Sequence, residues 1–322
     1  MNNDSFELEN WIRHRGGLVI FASLLPMEPK RRMPLNGASQ ARLGALLSES
    51  EVRHAGDLSI ASALLRSVTC TANNCPSPMS FLGDLPTMVT AKRVIWTMAL
   101  LRQQLRLGIE GDVLEAGVYR GGTCIAMMHM LENETSSTHT SGPRQQLWAC
   151  DSFQGLPQPS ELDICGGEDG GHPTAGTSHC RRGHQGRFRA APAELTANFA
   201  RFGLEHAMAR LHVVRGWFVA TLPPAGLKRL SFLRVDGDLH DSTYVTLERL
   251  YPLLAPGGLV YVDDYGSFGG CALAVDAFRR ERNISARLRP IVETRRRKRL
   301  GGELYIFEAV WWRKPRKERV HD

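Results

Sequence analysis

Two hydrophobic runs in this sequence end in paired carboxylates, Val235-Asp236-Gly237-Asp238 and Val262-Asp263-Asp264-Tyr265. If each run is a buried strand and the two are neighbours, four acidic side chains share one small volume. Like charges that close repel strongly unless a cation or bound protons neutralise them. Oxygen ligands with no His or Cys inside the motifs suit Mg²⁺, Mn²⁺ or Ca²⁺ and not zinc. Helix capping accounts for one or two of these carboxylates, hardly for all of them. The expectation is a divalent-metal site.

Two further apolar runs end in residues that could hold a nucleoside. The first opens into Glu115-Ala-Gly117-Val-Tyr119-Arg-Gly121-Gly122-Thr123 and a helix. Its glycines allow a tight turn and close approach of a ligand to the backbone. The pattern is G-x-x-x-G-G and not the dinucleotide fingerprint G-x-G-x-x-G. Glu115 would repel a phosphate but tolerates a cationic ligand without one, such as S-adenosylmethionine; a purely structural turn is the alternative. The second run ends Trp148-Ala-Cys-Asp151-Ser-Phe-Gln-Gly155-Leu-Pro. An acid in this place typically accepts hydrogen bonds from ribose hydroxyls. Asp151 lies 36 residues beyond Glu115, more than the usual interval of about 20, and a polar loop over 136–146 absorbs the excess. A helix cap is the alternative for Asp151.

A competing metal candidate spans residues 165–184, with Cys165, His172, His179, Cys180 and His184. Its cysteines are 15 apart, which does not match the paired spacing of structural zinc sites. Gly166, Gly167, Gly170, Gly171 and Gly176 fit a mobile lid better.

The elements that must position these residues follow from hydrophobic patterning. Residues 112–116, 147–151, 211–215, 230–235 and 259–263 are short runs apolar on both faces, as parallel strands covered by helices on both sides require. Helical patterns lie between them at 123–132, 192–202, 242–254 and 271–282, and a long amphipathic one precedes them at 89–105. Alternating strand and helix predicts an α/β doubly wound sheet, in which ligands bind beyond the carboxyl ends of the strands. Residues 1–84 carry helical patches broken by Pro26, Pro29 and Pro34 and read as an N-terminal helical extension; 85–322 form the main domain.

Composition excludes several classes. With 322 residues, 43% of them apolar, the chain can bury a full core and is neither collagen-like nor disordered. The net charge of +7 is confined to the C-terminal part, where residues 295–319 hold 10 basic side chains against 3 acidic ones. A short run of this kind is a solvated turn and terminus, not the continuous stripe that tracks phosphates, so no specific nucleic-acid partner is expected. Seven scattered cysteines suit a reduced cytoplasmic protein. Asp4, Glu7 and Glu9 spoil a signal-peptide pattern before the apolar stretch at 18–27, and no run reaches the length of a membrane span.

Several motifs in order resemble the macrocin O-methyltransferase family. They are the Glu115 loop, Asp151-Ser-Phe-Gln-Gly-Leu-Pro, Ala197-Asn-Phe-Ala-Arg-Phe-Gly-Leu, Gly216-Trp-Phe, Thr221-Leu-Pro, Asp236-Gly-Asp-Leu-His-Asp-Ser-Thr, Pro256-Gly-Gly, Asp263-Asp-Tyr-Gly and Ala309-Val-Trp-Trp-Arg-Lys. The resemblance implies a class I methyltransferase fold, S-adenosylmethionine as donor, required Mg²⁺, and a homo-oligomer. It implies that Asp236, Asp263 and Asp264 are metal ligands and Asp238 the general base. It assigns Glu115, Gly117, Tyr119, Gly121, Gly122 and Thr123 to the donor loop, Asp151 and Ser152 to the adenosine region, and Thr87 and Met88 to a segment closing over the donor. Asp236 and Trp217 complete the donor side, with core packing the alternative for Trp217 and Phe218.

The implied reaction is methyl transfer to a hydroxyl of a small-molecule natural product, foremost a sugar of a glycosylated metabolite. An aromatic diol is the close alternative; an NAD-dependent oxidoreductase and an RNA-binding methyltransferase are more distant ones. His240 stands where relatives commonly have Tyr. The 165–189 stretch, the Arg295 to Arg299 run and the first 84 residues also depart from the family pattern.

Overall fold

The apolar runs form the parallel core of one sheet in the computed structural model, which describes residues 78–137, 144–163, 185–296 and 303–316. The strands are β1 (Asp112–Ala116), β2 (Leu147–Asp151), β3 (Leu211–Arg215), β4 (Leu230–Val235) and β5 (Leu254–Val262). An antiparallel hairpin, β6 (Arg289–Arg296) and β7 (Glu303–Arg313), extends the sheet through β7, which pairs with β5. The strand order is β3-β2-β1-β4-β5-β7-β6. The chain therefore winds outward from β1 in one direction and from β4 in the other, and β1 and β4 flank the switch point.

Helices α1 (Pro78–Asp84), α2 (Ala91–Arg106), α3 (Gly122–Ser137), α4 (Pro192–Arg201), α5 (Phe218–Thr221), α6 (His240–Leu250) and α7 (Gly269–Glu281) cover the sheet. Alternate strand residues divide between two cores. Val113, Ala149, Phe232 and Tyr261 pack with Val94, Met98 and Leu101 of α2 and with Ile125 and Met128 of α3. Leu114, Cys150, Leu233 and Val262 pack with Leu247 and Leu250 of α6 and with Cys271, Val275 and Phe278 of α7. Each fully buried Leu, Ile or Phe contributes about 1.5–3 kcal/mol, so both layers help to fix the strand register.

That register aligns the strand ends. Ala116 pairs with Val235, and Val235 with Val262. The row continues one residue further, where Asp236 N donates to Ala116 O at 2.8 Å and Asp263 N to Val235 O at 2.9 Å. Gly117, Asp236 and Asp263 therefore stand side by side at the carboxyl edge.

The structure departs from the sequence reading in several places. β3 is not buried on both faces, because it is the sheet edge and its burial alternates, leaving Val213 exposed. The helix expected to run to residue 254 stops at Leu250; Pro252 follows in a 3-10 turn, and Leu254 already begins β5. Arg295 and Arg296 lie within β6, paired with Leu304 and Glu303. Of the expected N-terminal extension only 78–84 falls within the described residues, and there Phe81 and Leu82 pack into the core with Val94 and Met98.

Candidate active site

The loop after β1 is shaped by contacts that leave no room for side chains. Gly117 has φ 92°, and a Cβ there would stand 1.7 Å from the carbonyl oxygen of Asp236. Tyr119, at φ 53°, also adopts the left-handed region that non-glycine residues avoid. Asp151 supports it: Oδ2 accepts from Val118 N at 2.8 Å and Tyr119 N at 3.0 Å, and Oδ1 accepts from Phe153 N at 2.7 Å. No helix follows β2 directly, so Asp151 organises the loop and is not a helix cap. Ser152 closes the next turn, donating to Gly155 O at 3.0 Å and accepting from Gln154 N at 3.0 Å.

Gly121 and Gly122 lead into α3. Pro86 and Thr87 press on Gly122, where an added Cβ would lie 2.7 Å from the Thr87 Cβ. Met88, in the same segment, is 65% exposed. The segment is held by Thr87, whose hydroxyl accepts from Val89 N at 3.1 Å, and by Thr90, which caps α2 by accepting from Arg93 N at 3.4 Å.

Glu115 and Thr123 lie beneath this loop, both buried. Thr123 and Cys124 donate to the two Glu115 oxygens, and Arg234 Nη1 donates to Oε1 at 2.7 Å. Burial pushes the Glu115 carboxyl up to about 7, against the pull of Arg234 and these hydrogen bonds. Glu115 thus ties the end of β1 to the first turn of α3 and presents no surface to a ligand.

Arg234 continues the network, donating to Asp236 Oδ2 at 2.6 Å and, through Nη2, to Asp263 Oδ1 at 2.7 Å. Burial alone would lower the guanidinium pKa, but Asp263, Asp236 and Glu115 hold it well above its ordinary value. The other oxygen of Asp263 accepts from Arg93, whose Nη2 also pairs with Glu308 at 2.5 Å. Both oxygens of Asp263 are therefore engaged by arginines.

The carboxylates that converge are Asp236, Asp238 and Asp264, each offering an oxygen within 4.8 Å of the others. Asp264 Oδ2 accepts from Asp238 N at 3.2 Å, which helps to hold Asp238 at φ 56°. Burial, together with the other carboxylates, raises Asp238 and Asp264 well above the ordinary range; Asp236 is also raised, with Arg234 opposing the shift. An all-oxygen set whose members destabilise one another fits a hard divalent cation. Asp263, also expected as a ligand, has one oxygen on Arg93 from α2 and the other on Arg234 from β4.

Sequence reasoning missed three residues here. Arg234 carried a signal, being a charged residue inside the otherwise apolar run Leu230-Ser-Phe-Leu-Arg-Val. Arg93 carried none, since arginine on an amphipathic helix reads as solvated. Asp163 is buried and accepts from His240 N at 2.6 Å and from the backbone and hydroxyl of Ser160, at 2.9 and 2.8 Å. It fastens the chain after β2 to the start of α6, so close to Gly270 that a Cβ there would stand 1.9 Å from its oxygen. His240, beside it, pairs through Nδ1 with Asp241 at 2.7 Å.

Trp217 is 37% exposed at the start of α5, while Phe218 packs against the second core. Most of the His- and Cys-bearing stretch, 164–184, lies outside the described residues, as do Arg297, Lys298 and Arg299. Two of the C-terminal cations serve the fold: Arg313 donates to Gly257 O at 2.8 Å and Lys314 to Leu254 O at 2.9 Å. Among the described residues no helix is long and apolar enough to cross a membrane.

Residues 80–295 match the family model described as Macrocin-O-methyltransferase (TylF). Mycinamicin III 3''-O-methyltransferase of Micromonospora griseorubida is 34% identical over 200 residues, 62% of this chain and 72% of that protein. The 8-demethyl-8-(2,3-dimethoxy-alpha-L-rhamnosyl)-tetracenomycin-C 4'-O-methyltransferase of Streptomyces olivaceus is 36% identical over 200 residues, 62% and 69% of the two chains. The solved structure of the O-methyltransferase NovP superposes with a TM-score of 0.54 at 31% identity, covering 71% of this chain and 82% of that one.

Proposed function

The chain belongs to the macrocin O-methyltransferase family, and from that premise we propose that it transfers a methyl group from S-adenosylmethionine to a sugar hydroxyl of a glycosylated small molecule. The observation that carries this reading is the placement of the Gly117 loop directly against Asp236. The glycine turn after β1 and an all-oxygen acidic cluster lie together there, at the carboxyl ends of β1 and β4. The sugar acceptor is supported by the relatives, one of whose names specifies an acceptor bearing an α-L-rhamnosyl group.

When bound, the sulfonium donor supplies an electrophilic methyl and a divalent ion such as Mg²⁺ lowers the pKa of an acceptor hydroxyl. Asp236 and Asp264 would hold that ion. Asp238 faces the same space and takes the hydroxyl proton as the C–O bond forms and the C–S bond breaks. Asp263 acts from behind, fixing Arg93 and Arg234. Asp151 holds the donor loop open at Val118 and Tyr119, and Glu115 braces it from below. Holding donor and acceptor in line replaces an encounter of two solutes, which supplies much of the acceleration. Cys124, Cys150 and Cys271 are free and buried, which supports a reducing, cytoplasmic setting.

The test is calorimetric titration with S-adenosylmethionine, and with NAD for comparison, each with and without Mg²⁺. Saturable binding of the methyl donor alone is expected. Binding of NAD in its place would overturn the reading.

A further inference from the structure

Arg234 stands between the two halves of the site. A single nitrogen, Nη1, donates to Glu115 Oε1 at 2.7 Å and to Asp236 Oδ2 at 2.6 Å. Glu115 belongs to the donor side: its other bonds go to Thr123 and Cys124, the residues that follow Gly121 and Gly122 at the start of α3. Asp236 belongs to the acidic cluster with Asp238 and Asp264. Arg234 cannot leave this position, being 0% exposed with its guanidinium 5.3 Å from the Tyr261 ring centroid and its Nη2 held by Asp263 at 2.7 Å.

We propose that Arg234 is a positioning residue that couples donor binding to divalent-ion binding through the nitrogen shared by Glu115 and Asp236. The inference rests on the methyltransferase reading above. The two carboxylates take the two N–H bonds of Nη1 and share the charge of Arg234. A cation at the cluster would offset the charge of Asp236 and leave more of the guanidinium's attraction to Glu115, whose bond would tighten and firm the loop above it. The converse holds as well: a donor that orders the loop would hold Glu115 on Nη1, weaken the pull on Asp236 and free its charge for the cluster. Linkage requires the two effects to be equal, each ligand raising the affinity of the other by one factor. Lysine cannot reproduce this arrangement. Its single ammonium keeps the charge but lacks the rigid fork that spans three carboxylates.

The experiment is a calorimetric cycle on the full chain with S-adenosylhomocysteine, which binds without turnover, and Mn²⁺, each titrated with and without the other. In the natural protein each ligand should tighten the other by about tenfold, within the usual range of coupling between sites. In Arg234→Lys both ligands should still bind separately and the factor should fall to near one. Glu115→Gln, which keeps Arg234 and weakens its donor-side contact, should also reduce the factor and serves if the lysine variant does not fold. Independent binding of the two ligands to the natural protein, or a factor unchanged in both variants, would overturn the coupling. Failure of both ligands to bind the natural protein would instead sink the methyltransferase reading on which the coupling rests.

Discussion

Gly117 and Asp236 touch across the switch point so closely that a methyl group on Gly117 would stand 1.7 Å from the Asp236 carbonyl oxygen. The oxygen is backbone in a central strand end and cannot swing aside. Gly117→Ala must therefore displace either the loop after β1 or the acidic cluster, in addition to straining a residue at φ 92°. We expect a loss of more than about 2 kcal/mol in stability, together with loss of donor binding. Thermal melts and calorimetry on the purified variant check this.

Asp238→Asn separates binding from chemistry. The amide keeps the volume and polarity of the side chain but cannot accept the hydroxyl proton. Donor affinity should remain within a few-fold of the natural protein while turnover falls by about 10² to 10⁴. Near-normal turnover would remove Asp238 from the role of base.

Asp151 gives the clearest case of a loop held by one carboxylate. In Asp151→Ala the N–H groups of Val118, Tyr119 and Phe153 lose their acceptor. Unmet buried donors cost about 1–3 kcal/mol, so donor affinity should fall by roughly tenfold or more. Asp151→Asn retains one acceptor oxygen and should recover part of the loss. The calorimetric series natural, Asn, Ala should rank in that order.

Glu115 makes stability depend on pH. Its folded pKa is raised from 4.5 to about 7 by burial, so the folded state holds the proton more tightly than the unfolded chain. That stabilisation is complete below about 4.5 and is lost as pH rises through about 7. Glu115→Gln cannot titrate. Between pH 5 and 8 the natural protein should therefore lose stability relative to the variant, by an amount on the order of 3 kcal/mol. Denaturant midpoints across that range measure it; parallel pH profiles would contradict it.

The sequence showed the sheet well, because strands buried on both faces are written as unbroken apolar runs. Residues 112–116, 147–151 and 230–235 became β1, β2 and β4 with the expected bounds. It showed β3 less well, since two short valines do not reveal whether a strand lies at an edge. At the site, the carboxylates of Asp236, Asp238 and Asp264 were legible as strand-end acids. The arginines that pair with Asp236 and Asp263 were not. Which aspartates meet a buried arginine depends on α2 and β4 converging from distant parts of the chain, as Arg93 and Arg234 do on Asp263. Glu115 was likewise legible as the end of the run before the glycine loop, but its place beneath that loop follows from α3 packing, which places Thr123 and Cys124 against it.

Methyl transfer to a sugar hydroxyl can be read from the product itself. The purified protein, supplied with Mg²⁺ and S-adenosylmethionine labelled in its methyl group, is incubated with two panels: glycosylated natural products lacking one sugar O-methyl group, and simple catechols. Mass spectrometry then locates the label. One labelled methyl is expected on the sugar of at least one glycoside. Label on the catechols alone, or no transfer to any glycoside, would contradict it.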